Sequence, residues 1–217
     1  MRNFLRLTII LALLNSCSKE TDTNLPERQY QPDGLYFDGL IGEDYYLIND
    51  SIPNNIYHSS SLDKNWRTDS FLLKHICTYP LNDNKKLRIE YYVFDNLENL
   101  DTNNNNYLFF KNMISEGRQR YLYENKDIPL NGFNVVLIDS DSTIYWAANA
   151  EFDFDTAFVF NIADITLKDY VDHKDYNWEE ILFSGNLKCD MICNLTPKDT
   201  ITIKNAKIKA KFTQGYY

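Results

Sequence analysis

The chain has 217 residues, with 22 basic against 31 acidic side chains for a net charge of −9, and it is 44% hydrophobic and 15% aromatic. That aromatic content excludes a disordered chain, and Gly 7 with Pro 6 excludes collagen-like and low-complexity sequences. A pI near 4.8 leaves no clustered basic surface for duplex nucleic acid, so no nucleic-acid partner is expected.

At the N-terminus, Arg2 and Arg6 precede a run from Leu7 to Leu14 that is apolar apart from Thr8. A spanning helix needs roughly 20 apolar residues, so this run has the length of a secretory h-region and not of a membrane span. Next, Leu14-Asn15-Ser16-Cys17 resembles the lipobox of bacterial lipoprotein precursors. The resemblance implies cleavage after Ser16, a diacylglyceryl thioether on Cys17 and acylation of the new N-terminus. With about 0.8 kcal/mol for each buried methylene and more than one acyl chain, such an anchor holds stably to a membrane. Residues 1–16 are then a signal peptide, and residues 17–33 the lipidated cysteine and a flexible polar stalk. Residues 34–217 form a single domain. The tract Ser18-Lys19-Glu20-Thr21-Asp22 resembles the charged segment of surface-exported lipoproteins, which implies the outer membrane and exposure at the cell surface. Loss of residues 1–16 removes Arg2 and Arg6 and deepens the net charge from −9 to −11. An anionic membrane surface repels such a domain, which fits a tether.

Downstream the dominant pattern has period two, the signature of strands with one buried face. Strands are predicted at Gly34 to Leu40, Asp44 to Ile48, Ser70 to Tyr79, Lys85 to Asp95 and Gln119 to Glu124. Further strands follow at Gly132 to Asp139, Thr143 to Ala148, Ala157 to Ile165, Ile181 to Cys193 and Thr200 to Phe212. Turn chemistry separates several of them, as at Asn82-Asp83-Asn84, Ser140-Asp141-Ser142 and the hairpin loop Asn194 to Asp199. Within the last strand the apolar phase slips from Ile201 and Ile203 to Ala206, Ile208, Ala210 and Phe212, which predicts a bulge near Lys204-Asn205. Between Asn105 and Glu116, Tyr107, Phe110, Met113 and Ile114 recur at spacings of three or four before Gly117, which predicts one short helix. The expected fold is all-β, an antiparallel β-sandwich with a barrel as the alternative closure.

From Gly132 to Phe212 the order is a Val135 and Leu137 strand, a Trp146 strand, a Phe158 and Phe160 strand, and a hairpin from Ser184-Gly185-Asn186-Leu187 to Ile201-Thr202-Ile203. This order resembles small β-rich outer-membrane lipoproteins, with Asn205 standing where Gly is expected. The resemblance implies a β-sandwich and no particular activity.

Once Cys17 carries lipid, Cys77, Cys189 and Cys193 remain, an odd number in a disulfide-permissive compartment. Cys189 and Cys193 lie four apart on one strand face, roughly 13 Å, which is too far to bridge. A disulfide from Cys77 to Cys189 or to Cys193 stays open, beside buried free thiols. His58, His75 and His173 have no metal-ligand spacing, so no metal or other cofactor is expected. Asp101-Thr102-Asn103-Asn104-Asn105 begins like a calcium loop, but Asn106 replaces its Gly and Asn112 its bidentate Glu. Asp139 and Asp141 read as turn caps. Glu151, Asp153 and Asp155 alternate along one face, the pattern a polymer hydrolase would draw on. No nucleophile elbow, phosphate loop or dinucleotide fingerprint is present, so no catalytic residue is assigned.

Neighbouring aromatics at Tyr45-Tyr46, Tyr91-Tyr92 and Tyr145-Trp146, with Tyr121, Tyr123, Tyr170, Tyr176 and Trp178, must place some rings outside a single core. Exposed Tyr and Trp offer stacking area with a polar handle. The expected function is a lipid-anchored, non-catalytic binding module for a glycan or an envelope protein. A hydrolase using dispersed carboxylates and a structural envelope component are the alternatives.

Overall fold

Alternation turns directly into long strands. In Ser70–Asn82 the odd positions Phe71, Leu73, His75, Cys77, Tyr79 and Leu81 are all buried, while most even positions are half-exposed. A computed structural model describes residues 34–50, 56–65, 67, 69–82, 84–101, 106–107, 110–119, 131–147, 158–171, 177–196 and 198–215. Residues 1–33 lie outside this set, and with them the expected signal peptide, Cys17 and the expected stalk. So do residues 120–124 of the strand predicted from Gln119.

The strands are β1 Tyr36–Ile41, β2 Asp44–Asn49, β3 Tyr57–Asn65, β4 Ser70–Asn82, β5 Lys85–Asn96, β6 Leu100–Asp101 and β7 Asn106–Tyr107. They continue with β8 Gly117–Arg118, β9 Gly132–Ile138, β10 Ile144–Ala147, β11 Phe158–Val171, β12 Asn177–Cys193 and β13 Thr200–Gly215. One antiparallel sheet runs β2-β1-β13-β12-β10-β9-β5-β4-β3, with β11 sharing the β10 side of β12 and β8 laid against β11. The sheet curls into a half-barrel, so the all-β antiparallel expectation holds in its barrel-like form. The compact unit containing it runs from Gln31 to Tyr217.

Closure of the curl uses side chains. β1 pairs with β13 only from Ile203 to Lys209, which leaves the end of β13 free on that side. There β4 comes against it: the Tyr79 hydroxyl donates to the Lys209 carbonyl at 2.9 Å, and the Lys211 amide reaches the Cys77 sulfur.

The predicted bulge is present. Leu187 pairs with Ala206 and Cys189 with Ile203, so Lys204 and Asn205 together oppose one residue of β12, and Asn205 adopts φ +48°. Both phases of β13 thereby point inward, with Ile203, Ala206, Ile208 and Phe212 all buried. Asn tolerates this left-handed backbone, which accounts for Asn where Gly was expected. Across the bulge, β1 approaches so closely that a Cβ on Gly39 would lie 2.5 Å from the Ala206 Cβ and 2.6 Å from its Cα. Gly39→Ala should therefore cost about 1–3 kcal/mol and lower the melting temperature by several degrees. An unchanged melting curve would show that the two strands part without strain.

Two sequence expectations change. The predicted helix between Asn105 and Glu116 is reduced to a single 3₁₀ turn, Phe110–Asn112, preceded by β7 paired with β6. Its apolar residues still turn inward: Phe110 and Ile114 are buried, and the Tyr91 hydroxyl donates to the Met113 carbonyl at 2.5 Å. Close packing at the barrel end, rather than a helical face, explains that spacing. Secondly, β3 was not anticipated, because Tyr57–Asn65 is mostly polar and exposed.

Candidate functional site

The sequence-predicted candidates do not gather in one place. Glu151, Asp153, Asp155, His173, Tyr121, Tyr123 and Tyr176 lie outside the described residues, as does most of the 101–105 loop; Tyr170 is placed only as part of β11. Asp139 and Asp141 hold the β9–β10 turn, where Asp141 Oδ1 accepts from the Thr143 amide at 2.9 Å and Asp139 Oδ1 from the Ser140 amide at 2.7 Å. The Thr143 amide thereby keeps the Asp141 carboxyl below its ordinary pKa. Cys77, Cys189 and Cys193 are free thiols, all buried, with Cys77 on β4 and the other two on β12. Burial pushes Cys77 up to about 11 and Cys189 higher still, so both stay protonated. Among the described residues no three His, Cys, Asp or Glu side chains converge on a metal position.

His75 sits inside the barrel, fully buried, with neither ring nitrogen hydrogen-bonded. It lies 5.2 Å from the Phe110 ring and stacks at 5.5 Å on Phe212. Burial first, and then nearby His58, lowers its pKa from 6.5 to about 3, so it is neutral.

Aromatic neighbours separate as alternation requires. Tyr91 enters the core while Tyr92 faces outward, and Trp146 is exposed beside half-buried Tyr145. Their outward members join a constellation on the outer face of the sheet. The strand register aligns Tyr57, Thr78, Arg88, Val136, Trp146 and Ile192 as one row across β3, β4, β5, β9, β10 and β12. Tyr57 is 42% and Trp146 37% exposed. Arg88 stands midway between them, two strand steps from each, or about 10 Å at the usual strand spacing.

Beside this row, Glu90 is only 1% exposed. Its Oε1 faces Lys74 Nζ at 3.2 Å and Arg88 at 3.8 Å, and its Oε2 accepts from the Tyr92 hydroxyl at 2.7 Å. Lys74 also lies over the Tyr92 ring, 4.9 Å from its centre. Opposite Glu90, Asn134 is 6% exposed and its Oδ1 has no hydrogen-bond partner. A buried acceptor left unsatisfied costs about 1–3 kcal/mol, so its place beside the Glu90 carboxylate and its two cations marks this part of the outer face as the candidate site.

Neither a protein-family profile, nor a curated protein, nor a solved structure matches the chain. The site therefore rests on its own geometry. Reading the sequence missed Lys74, Arg88, Glu90 and Asn134, since single charges on outward strand positions resemble ordinary solvated residues.

Proposed function

We propose that this protein is a lipid-anchored binding module of the bacterial cell envelope, which holds its ligand on the outer face of β3, β4, β5, β9 and β10 without transforming it. The observation that supports this reading is the cluster of Lys74, Glu90, Arg88 and Tyr92 on the outer face, with the exposed Trp146 ring two strand steps from Arg88. An exposed ring near a charged cluster supplies stacking area next to polar contacts. Glu90 has both carboxylate oxygens engaged by Lys74, Arg88 and Tyr92, an arrangement suited to holding cations in place rather than to passing a proton to substrate. The membrane anchor rests on the lipobox resemblance at Leu14 to Cys17, and the outer-membrane, cell-surface location on the charged tract that follows it.

Two measurements check the two halves of this proposal. Cys17→Ala should release the protein from the membrane fraction, and full retention would remove the anchor. A glycan array and an envelope-protein pull-down with the mature protein should give a signal that Trp146→Ala and Arg88→Gln each reduce by about tenfold, with melting temperatures unchanged. Binding indifferent to both substitutions would place the ligand elsewhere.

A further inference from the structure

We infer that the outer face of β13, β12, β11 and β8 is a cationic surface that rests on anionic lipid, a second and electrostatic contact with the membrane that holds the anchor. The inference builds on the anchored reading above and adds how the domain meets the bilayer. Three observations carry it.

The first is a basic patch made by strand register. Lys207 pairs with Asn186, Asn186 with Asn161 and Asn161 with Arg118, so one row crosses four strands in about 15 Å. Ile208 and Ala210 point into the core, which turns Lys207 and Lys209 outward. Lys188 and Lys204 flank the row on one side and Lys209 on the other. Arg118, Asn161, Asn186, Lys188, Lys204 and Lys207 are all exposed, so this surface is open. Its carboxylates are fewer and engaged: buried Asp38 accepts from the Tyr45 hydroxyl at 2.9 Å, Asp164 from Ser184 at 3.1 Å and Asp190 from Thr202 at 2.7 Å. Five cations against three carboxylates leave an excess of two positive charges among the described residues, in a chain whose net charge is −9. The low pI predicts no basic cluster, but pairing between segments distant in sequence builds one. Charges elsewhere on the domain are screened beyond a Debye length of about 8 Å at physiological salt.

The second is where the chain enters the sheet. β1 borders the patch, with Tyr36 paired to Lys209, Asp38 to Lys207 and Leu40 to Lys204. Sixteen residues separate Cys17 from Gly34, at most about 60 Å of extended chain. A lipid on Cys17 keeps the domain within that reach of the bilayer, where a high effective concentration favours even a weak contact.

The third is the kind of side chain. Four of the five cations are lysines, point charges that suit a plane of mobile phosphate groups better than a bidentate fit. Leu47, 39% exposed, faces outward from β2 opposite Asp38, two strand steps from Lys207. An apolar side chain at the rim of a basic patch can enter the headgroup boundary, and a soluble polyanion offers it no such place. The patch shares no strand with the Glu90 cluster, so lipid and ligand need not compete.

The test uses the mature chain carrying Cys17→Ala, which has no lipid, and co-sedimentation with vesicles of phosphatidylcholine alone or mixed with phosphatidylglycerol. The mixed vesicles should bind it about tenfold more strongly or better, and added salt should abolish the preference. Lys204→Gln, Lys207→Gln and Arg118→Gln should each weaken binding by about fivefold. Lys207→Arg should retain it, and Leu47→Ser should weaken it without changing its salt dependence. Lys86→Gln, on β5, should change nothing. Melting curves establish that each variant stays folded.

No binding to mixed vesicles, or equal binding to neutral ones, overturns the inference. So does a preference that survives the three substitutions Lys204→Gln, Lys207→Gln and Arg118→Gln combined. Tight binding of heparin without binding of mixed vesicles assigns the patch to a soluble polyanion and overturns the lipid. The anchor is judged separately, because patch contacts are lost in a high-salt wash. Cys17→Ala protein that stays with the membrane fraction through such a wash removes the anchor and leaves the patch to the vesicle result.

Discussion

Lowering the pH from 7 toward 3 should weaken the fold by roughly 5 kcal/mol through His75 alone, at about 1.4 kcal/mol for each unit of pKa displacement. In the unfolded chain this imidazole takes up its proton near 6.5, whereas in the barrel it remains neutral down to about 3. Throughout that window the unfolded chain binds more protons, so stability is full above pH 6.5 and drains away as the pH falls to the folded value. His58, opposite Cys77 on β3 and close enough to act on His75, works in the same direction, its own pKa lowered by burial and then by Lys211, with Glu180 opposing. Carboxylates titrate in the same range, so the measurement is a comparison. Urea unfolding of wild type and His75→Leu at several pH values should show a shallower slope in the variant. At pH 7 the variant should be as stable or more so, because two orphaned nitrogens are gone. Parallel curves for the two proteins would count against a buried, neutral His75.

Phe212→Ala should cost about 3–5 kcal/mol at neutral pH. The ring is fully buried at the meeting point of β13 with the barrel interior, 5.0 Å from Phe183, 5.5 Å from His75, 6.2 Å from Phe133 and 6.3 Å from Tyr91. Few neighbours can collapse into the space, since each is held by its own strand pairing. The vacated volume also borders a polar ring, so water can enter and hydrate the imidazole. The variant should therefore lose part of its acid sensitivity along with its stability, which the same pH series reads directly. Phe212→Leu, which keeps most of the volume, should cost less and retain the slope. A Phe212→Ala protein as stable as wild type would mean that this ring is not part of the core.

Much of the fold could be read ahead of the structure because alternation and burial are the same fact seen twice. In β9 and β13 the apolar positions named from the sequence, among them Val135, Leu137, Ile203, Ala206, Ile208, Ala210 and Phe212, are those that line the interior. The slip at Lys204-Asn205 was legible for the same reason: only an extra residue lets Ile203 and Ala206 share one face. β3 was opaque, since Tyr57–Asn65 contains Leu62 as its sole aliphatic residue and owes its extended form to pairing with β4. The candidate site was opaque for a subtler reason. A regular two-residue hairpin from Asn82 and Lys85 would set Lys74 opposite Val93 and Glu90 opposite Cys77. The irregularity between Pro80 and Asn82 shifts the register by one, and Lys74 then faces Tyr92, with Glu90 opposite Ile76. Charge clusters built by a bulge cannot be found by counting from the turn.

The pairing of β1 with β13 has a kinetic meaning. Tyr36 meets Lys209 and Ile41 meets Ile203, so the first strand of the sheet finds its partner in the last. Contacts this distant in sequence are slow to form, because a loop containing nearly the whole domain must close before the pairing rewards it. A chain emerging from its N-terminal end presents β1 and β2 long before β13 exists, and the β1 edge of the hairpin they form stays unpaired until then. Completion of the sheet is therefore an event of the finished chain, and during synthesis that early hairpin is the segment most in need of protection from wrong partners.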